Sequence, residues 1–152
     1  MSTTADTSRA NPTIRSARLS NADRVFTLLK QVTESYAPDR TAFDDTFARL
    51  VAADSSSLFI VAEDAAGFVL GYALTTISPL LHANGSSAQL QELAVDSEHR
   101  GTGIGTELIE TVERTCRAQG VRQLTVPTRR SADFYERLGY RSSADLLKRT
   151  FD

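Results

Sequence analysis

The 152-residue chain has one cysteine, no tryptophan and no long hydrophobic run. A single cysteine permits no internal disulfide, which favours a reducing, cytoplasmic location. The longest apolar stretches, such as 58–62 and 68–70, are too short to span a bilayer, so no membrane partner is expected. Lysine and arginine (17) nearly balance aspartate and glutamate (19), which argues against electrostatic capture of nucleic acid.

The composition that remains is that of one soluble domain, predicted over residues 13–152. A domain of this size buries enough surface to fold without a disulfide or a metal ion. Two histidines and no cluster of metal-ligand residues predict no metal site. Residues 1–12 lack the apolar core of a signal peptide and are predicted to form a disordered tail.

Hydrophobic periodicity predicts alternating strands and helices along the chain. Ser20 and Asp23 have the spacing of a capping box, which predicts that the first helix begins at Ser20 and ends before Pro38. A second helix is predicted over 43–53 and a short one over 131–138. Strands are predicted over 13–20, 58–62, 68–77, 89–95, 121–126 and 146–151, with a turn at 64–67 and a loop at 78–86. This order predicts an α/β fold with a mixed sheet.

The clearest helix follows the strand at 89–95. Ile104, Leu108, Val112 and Cys116 recur every four residues, and Gly120 stands where a C-terminal cap belongs. Its place on this apolar stripe makes Cys116 a core thiol rather than a nucleophile. The second half of the chain therefore contains one strong β-α-β unit, where we expect the chemistry.

Three alternating glycines, Gly101, Gly103 and Gly105, follow Arg100 at the start of this helix. Glycines let an anion approach the backbone, and a helix N-terminus offers unpaired N–H groups, so the loop predicts a phosphate or pyrophosphate site. A Walker A loop is excluded because no lysine follows Gly105. The dinucleotide fingerprint is excluded because the third glycine comes one residue early and no acidic residue follows at the required distance.

The pattern Arg100-x-x-Gly103-x-Gly105 resembles the acetyl-coenzyme A loop of the GNAT N-acetyltransferases, which reads Gln/Arg-x-x-Gly-x-Gly/Ala. The resemblance continues through the segment 93–95 before the loop and 134–140 after it, and covers most of the chain. It implies an acyl-CoA N-acyltransferase (GNAT) fold, with a mostly antiparallel central sheet, and acetyl-CoA as the acyl donor.

The resemblance also implies which residues hold acetyl-CoA. The backbone of 93–95 would pair with the pantetheine arm, the N–H groups of 100–106 would hold the pyrophosphate, and the strands 89–95 and 121–126 would splay apart to admit it. Thr128 stands where the family commonly has Asn. The implied set is Leu93, Ala94, Val95, Arg100, Gly101, Thr102, Gly103, Ile104, Gly105, Thr106 and Thr128.

The implied catalytic acid is Tyr135, which occupies the family's position for protonating the departing thiolate; simple aromatic packing is the alternative. Glu92 is the candidate base or amine ligand, and a solvated strand glutamate is the alternative. Strand alternation places Glu92 on the face opposite Gln91 and Leu93. The arginine pair 129–130 would meet the 3′-phosphate of coenzyme A or form a solvated turn.

The family binds its acceptor between the first two helices and the strands that follow. Here that region contains Glu34, Tyr36, Asp39, Asp44, Asp45, Tyr72 and the loop at His82. Its acidic residues would suit a cationic amine, and a polar, exposed loop between the helices is the alternative. The segment 89–95 also resembles the branch that acetylates small aminoalkyl compounds, including aminoalkylphosphonates. We predict direct transfer of an acetyl group to the primary amine of a small molecule, by a monomer or homodimer. A protein or peptide N-acetyltransferase and a non-catalytic acyl-CoA-binding module are the alternatives.

Overall fold

The computed structural model describes residues 12–151, and in this range it has five strands and four α-helices. They are β1 (Thr13–Ser16), α1 (Ala22–Val32), α2 (Arg40–Leu50), β2 (Ser57–Glu63), β3 (Val69–Leu80), β4 (Gly85–Val95), α3 (Ile104–Ala118), β5 (Gln123–Thr125) and α4 (Ala132–Arg137). Short 3-10 turns lie at Leu19–Asn21 and Ser97–His99. All but the last residue of the predicted tail, 1–12, lies outside the described residues.

The strands form one sheet in the order β1-β2-β3-β4-β5. The first three pairings are antiparallel, and β4 pairs with β5 in parallel through the crossover helix α3. The predicted mixed sheet with its β-α-β unit is confirmed.

Helices cover both faces of the sheet. The stripe of α3 is buried as predicted, and its members pack on one face: Ile104, Leu108, Ile109, Val112 and Cys116. Helices α1 and α2 cover the other face through Val25, Leu28 and Phe47. Gly71 of β3 lets α3 lie close, because a Cβ there would stand 2.9 Å from the carbonyl oxygen of Ala94 and 3.3 Å from Leu108.

The predicted capping box at Ser20 is wrong, because Ser20 lies in the 3-10 turn and α1 begins at Ala22. The buried side chain of Asn21 accepts a hydrogen bond from the N–H of Arg18 at 2.8 Å and stabilises this turn instead. Helix α2 begins earlier than predicted, at Arg40, because the carboxylate of Asp39 caps it by accepting from the N–H of Ala42.

The predicted loop at 78–86 is mostly strand. β3 and β4 pair to the end of a long hairpin whose turn holds Asn84 at φ +55°. Pro79 is tolerated because β2 pairs with β3 only as far as Thr76, so one edge of β3 needs no donor there.

The predicted last strand, 146–151, is absent, and the segment has no regular structure. Leu147 is 90% exposed and Phe151 is 84% exposed. Local β propensity makes no strand without a neighbour to complete the hydrogen-bond ladder, and no described strand pairs with this segment.

Candidate active site

A bulge interrupts β4 where the sheet passes beneath the candidate site. Leu74 of β3 pairs with Glu92, but the next residue, Thr75, pairs with Leu90, so Gln91 is an extra residue in β4. A bulge reverses strand alternation. Leu90 therefore packs in the core beneath α3, while Glu92 points to the α1 and α2 side.

Because of the bulge, the prediction that Gln91 and Glu92 lie on opposite faces is wrong. Its amide donates to Oγ1 of Thr76 at 2.9 Å, and Glu92 accepts from the hydroxyl of Tyr72 at 2.8 Å. Tyr72 and Thr76 lie on one face of β3, so Gln91 and Glu92 share a face. Leu93, in contrast, packs on the α3 side and so lies opposite Glu92, as predicted.

Glu92 lines a cleft of about 220 Å³ between α1, α2 and the sheet. Tyr72, which donates a hydrogen bond to the carboxylate of Glu92, is almost fully buried from solvent. Burial, and then the charge of Glu92, raise the pKa of Tyr72 well above its ordinary value, so the phenol stays protonated and donates the hydrogen bond.

The edge of β4 that faces β5 is only partly paired. The parallel ladder joins three residues of each strand, 87–89 with 123–125, and ends at Gln89 and Thr125. From Leu90 to Val95, β4 has no strand neighbour on this edge among the described residues. Its backbone there is able to pair with an extended ligand.

The glycine loop connects this edge to α3. Gly101 and Gly103 have φ values of +79° and +92°, which residues other than glycine rarely adopt. Gly103 is the N-cap of α3, and no side chain caps the helix. The N–H groups of the first turn are therefore left for an anion, which the helix dipole favours.

Gly105 lies where β4, α3 and α4 meet. A Cβ built on it would stand 3.6 Å from Phe134, 3.7 Å from Val95 and 3.8 Å from Leu93, in ordinary contact. The fold thus brings together the three segments that sequence reasoning linked to the acyl donor.

Tyr135 lies in α4 beside this junction. Its ring contacts those of Phe134 and Tyr140 edge-on, with centroids 5.0 and 5.8 Å away. Burial raises the pKa of the Tyr135 phenol, and no described residue hydrogen-bonds to it. The hydroxyl is therefore a protonated donor without a partner in the described part of the chain.

A polar cluster at Asp96, which sequence reasoning missed, ties the loop to α1. Asp96 accepts from the side-chain amide of Gln31 at 3.1 Å, lies 3.0 Å from Nδ1 of His99 and pairs with Arg24 at 3.3 Å. Gln31 also accepts from the N–H of Ser97. Burial acts to raise the pKa of Asp96, but the hydrogen bonds of Gln31 and His99 and the charge of Arg24 outweigh it and hold that pKa below its ordinary value.

Other candidates have local partners. Oγ1 of Thr128 accepts from the N–H of Ser131 and stabilises the turn before α4. Arg100 donates to the carbonyl of Val95, and Arg130 pairs with Glu34.

The predicted acceptor residues divide into two groups, those that line the cleft and those that do not, and Glu34, paired with Arg130, belongs to the second. Tyr36, Asp39 and Tyr72 line the cleft with Glu92. Asp44 and Asp45 pair with arginines of their own helix, and His82 lies in the exposed turn between β3 and β4, outside the cleft lining.

Within residues 12–151, no three side chains of His, Cys, Asp or Glu stand together as a metal site. Among the helices of residues 12–151, none combines the length and the hydrophobicity that a membrane-spanning helix needs.

Comparison with known proteins identifies the class to which this fold and site belong. The model of the acetyltransferase (GNAT) family matches residues 22–140. The chain therefore belongs to the GNAT family of acetyltransferases, and the resemblance inferred from sequence is confirmed.

Solved structures share this fold. The glucosamine-6-phosphate N-acetyltransferase of Arabidopsis thaliana superposes with a TM-score of 0.79 at 22% identity, over 94% of this chain and 100% of that one. A transcriptional regulator from Bacillus halodurans C-125 gives a TM-score of 0.81 at 24% identity, over 92% and 99%. At these identities the likeness shows the fold alone.

Curated relatives match over a shorter stretch. The amino-acid acetyltransferase of Pseudomonas syringae pv. syringae is 41% identical over 66 residues, which are 43% of this chain and 15% of that protein. That of Pseudomonas fluorescens (strain Pf0-1) is 39% identical over 62 residues, or 41% and 14%. The match thus spans about a seventh of the length of these relatives.

Proposed function

We propose that this acetyltransferase uses acetyl-CoA as its acyl donor and transfers the acetyl group directly to the primary amine of a small molecule. The observation that carries the proposal is the stretch of β4 from Leu90 to Val95, whose edge on the β5 side is unpaired among the described residues and which leads into the glycine loop at the uncapped start of α3. Pantetheine would pair with this stretch as a strand would, and the N–H groups of 100–106 would hold the pyrophosphate.

Transfer needs two proton movements. The amine nitrogen attacks the thioester carbonyl, a C–N bond forms, and the C–S bond breaks. Glu92, directly or through water, takes the proton that the amine loses, and Tyr135 gives its phenolic proton to the departing thiolate. Tyr135 is protonated at neutral pH, because the ordinary pKa of a phenol is about 10 and burial raises the pKa of Tyr135 further.

The cleft has room for a small acceptor group. Its volume of about 220 Å³ is below the roughly 300–1,000 Å³ of pockets that hold drug-sized ligands. A protein-modifying enzyme and a non-catalytic module are the competing functions. The module would bind acetyl-CoA without transferring its acetyl group.

The test is release of free coenzyme A thiol from acetyl-CoA in the presence of an amine panel, compared between the wild type and Tyr135→Phe. The variant keeps the ring and its packing. We expect turnover to fall by about 10²–10⁴-fold while the Kd for acetyl-CoA, measured by calorimetry, stays within about twofold. Equal turnover by the two proteins, with chemistry shown to be rate-limiting, would mean that Tyr135 is not the acid that protonates the thiolate. Binding of acetyl-CoA by the wild type without any turnover would favour the non-catalytic acyl-CoA-binding module.

A further inference from the structure

The cleft between α1, α2 and the sheet has an aromatic wall. Phe43 stacks on Phe47 with centroids 5.2 Å apart, Phe47 meets Phe59 edge-on at 5.3 Å, and Phe59 lies 5.5 Å from Tyr72. Tyr36 adds a further ring to the lining. Phe47, Phe59 and Tyr72 are almost fully buried and form the floor of the cleft, so the ring surface within reach of a ligand is that of Phe43 and Tyr36. An apolar group matches this lining better than a sugar or a polar chain does.

The charges in the lining are all of one sign. Asp39 and Glu92 are its only charged residues, and the described lining contains no lysine, arginine or histidine. The two arginines of α2 are paired with carboxylates, Arg40 with Asp23 and Asp44 and Arg49 with Asp45. The Arg40 guanidinium lies 5.7 Å from the ring centroid of Phe43, but Arg40 itself is not part of the lining. A carboxylate, phosphate or phosphonate in the cleft would lose its hydration and meet carboxylates rather than a cation, which is unfavourable.

The two carboxylates differ in what they offer a ligand. One oxygen of Asp39 accepts from the N–H of Ala42, and Asp39 stands at the exposed start of α2. Oε1 of Glu92 accepts from Tyr72, and its Oε2 has no hydrogen-bond partner among the described residues. Glu92 also directly precedes Leu93, on the stretch of β4 that would hold the acyl donor. An ammonium group at Oε2 would therefore lie nearest the acetyl group.

We propose that the acceptor is a small primary amine with an aromatic or compact apolar body and no anionic group, of the arylalkylamine class. The ammonium group pairs with Glu92, and the apolar body lies against the accessible ring surface of Phe43 and Tyr36. This inference rests on the proposed acetyltransferase function. It restricts the class of amines that this site would accept to those without an anionic group and with an apolar body.

The experiment compares amines that differ by one anionic group, at saturating acetyl-CoA. 2-Phenylethylamine is paired with phenylalanine, and tyramine with tyrosine, since each pair shares its ring and its amine. We expect kcat/KM to be about 10²-fold or more higher for the member without the carboxylate, because the carboxylate would be desolvated without a partner. 2-Aminoethylphosphonate tests the aminoalkylphosphonate class that the segment 89–95 resembles. Contrary to that resemblance, we expect it to be a poor acceptor, because the charged residues of the lining are Asp39 and Glu92.

A variant with an added positive charge tests whether the charge of the cleft, rather than the intrinsic reactivity of the two amines, sets the preference. Thr46 lines the cleft from the exposed side of α2, so Thr46→Arg places a cation there without opening the core. We expect the preference for 2-phenylethylamine over phenylalanine to fall at least tenfold. Ala48→Arg is the matched control, because Ala48 is exposed on the same helix and outside the lining. It should leave the preference unchanged.

The outcomes separate this inference from the proposed function. Equal or better use of phenylalanine, or an unchanged preference in Thr46→Arg, would overturn the acceptor class and leave the acetyltransferase standing. Binding of acetyl-CoA with no transfer to any amine without an anionic group would also overturn the acceptor class. Absence of both acetyl-CoA binding and turnover would overturn the proposed function itself.

Discussion

The phenol of Tyr72 donates a hydrogen bond to Oε1 of Glu92 across strands β3 and β4, with 2.8 Å between the two oxygens. The residues are diagonal neighbours, since Tyr72 pairs with Ala94 and Glu92 with Leu74. Tyr72 is almost completely buried, so its ring is fixed by the core and its hydroxyl holds the carboxylate in one position at the cleft. In the proposed reaction, Tyr72 is a positioning residue for Glu92.

A double-mutant cycle tests this arrangement. We expect Glu92→Gln to lower kcat/KM for an amine by about 10²-fold, as for loss of a general base, and Tyr72→Phe to lower it by about tenfold. The double variant should be about as slow as Glu92→Gln alone, because Tyr72 acts through the carboxylate.

Two controls accompany the cycle. The Kd for acetyl-CoA and the urea midpoint of each variant show whether the site and the fold persist. Losses that multiply in the double variant would show that Tyr72 acts independently of Glu92.

The glycine loop gives a second prediction, in which Gly105 and Gly103 respond differently. Gly105→Ala adds a Cβ at ordinary contact distance, 3.6 Å from Phe134, within a helix. It should keep acetyl-CoA affinity and change the free energy of unfolding by at most about 1 kcal/mol, towards greater stability. Gly103→Val should weaken acetyl-CoA binding at least tenfold by calorimetry, because its side chain enters the loop that would hold the pyrophosphate.

Strain at Gly103 requires a matched control, because its φ of +92° is unfavourable for valine whatever the ligand. Gly67→Val supplies it, since Gly67 has φ +86° and open space in the turn between β2 and β3. Both variants should lose similar stability, of about 1–2 kcal/mol. If Gly103→Val bound acetyl-CoA as tightly as Gly67→Val does, the loop would not be the pyrophosphate site.

The features predicted from sequence are those encoded by nearby residues. The α3 stripe and the glycine spacing depend on neighbours a few positions apart, and both lie where expected. The bulge at Gln91 was not predictable from β4 alone, because it is defined by pairing with β3. The contact between Gln31 and Asp96 joins residues 65 positions apart, so no local pattern marks it. The prediction of a last strand at 146–151 was wrong because strand propensity is local, whereas a strand also needs a neighbouring strand, and no described strand pairs with this segment.

Asp96 gives a prediction about pH. Its pKa is lowered in the folded state, so its contribution to stability is present above the unfolded value of about 3.9 and is lost as pH falls through the folded pKa. Asp96→Asn should cost about 1–3 kcal/mol of unfolding free energy at pH 7, because Arg24 and Gln31 lose a charged partner. The difference from wild type should shrink as pH falls below about 4.

Urea unfolding at a series of pH values measures this difference, with Asp54→Asn as the control at an exposed position. That control should follow the wild type throughout. A cost for Asp96→Asn that was the same at pH 7 and in acid would mean that its charge contributes nothing to the fold.

The position of Cys116 predicts that no acetyl-enzyme forms. Cys116 is buried near the end of α3, and burial, followed by the charge of Glu113, raises the pKa of its thiol, so little thiolate exists at neutral pH. It lies 13 residues after Gly103, or about 20 Å along the helix at 1.5 Å per residue. If the pyrophosphate binds at the start of α3 and the pantetheine arm follows β4, the thioester is far beyond the thiol's reach.

Cys116→Ala should therefore lose about 1 kcal/mol of stability through packing and retain turnover within about twofold. Double-reciprocal plots should intersect, as a ternary complex requires, whereas parallel lines with an acetyl group on Cys116 in the mass spectrum would establish a covalent route.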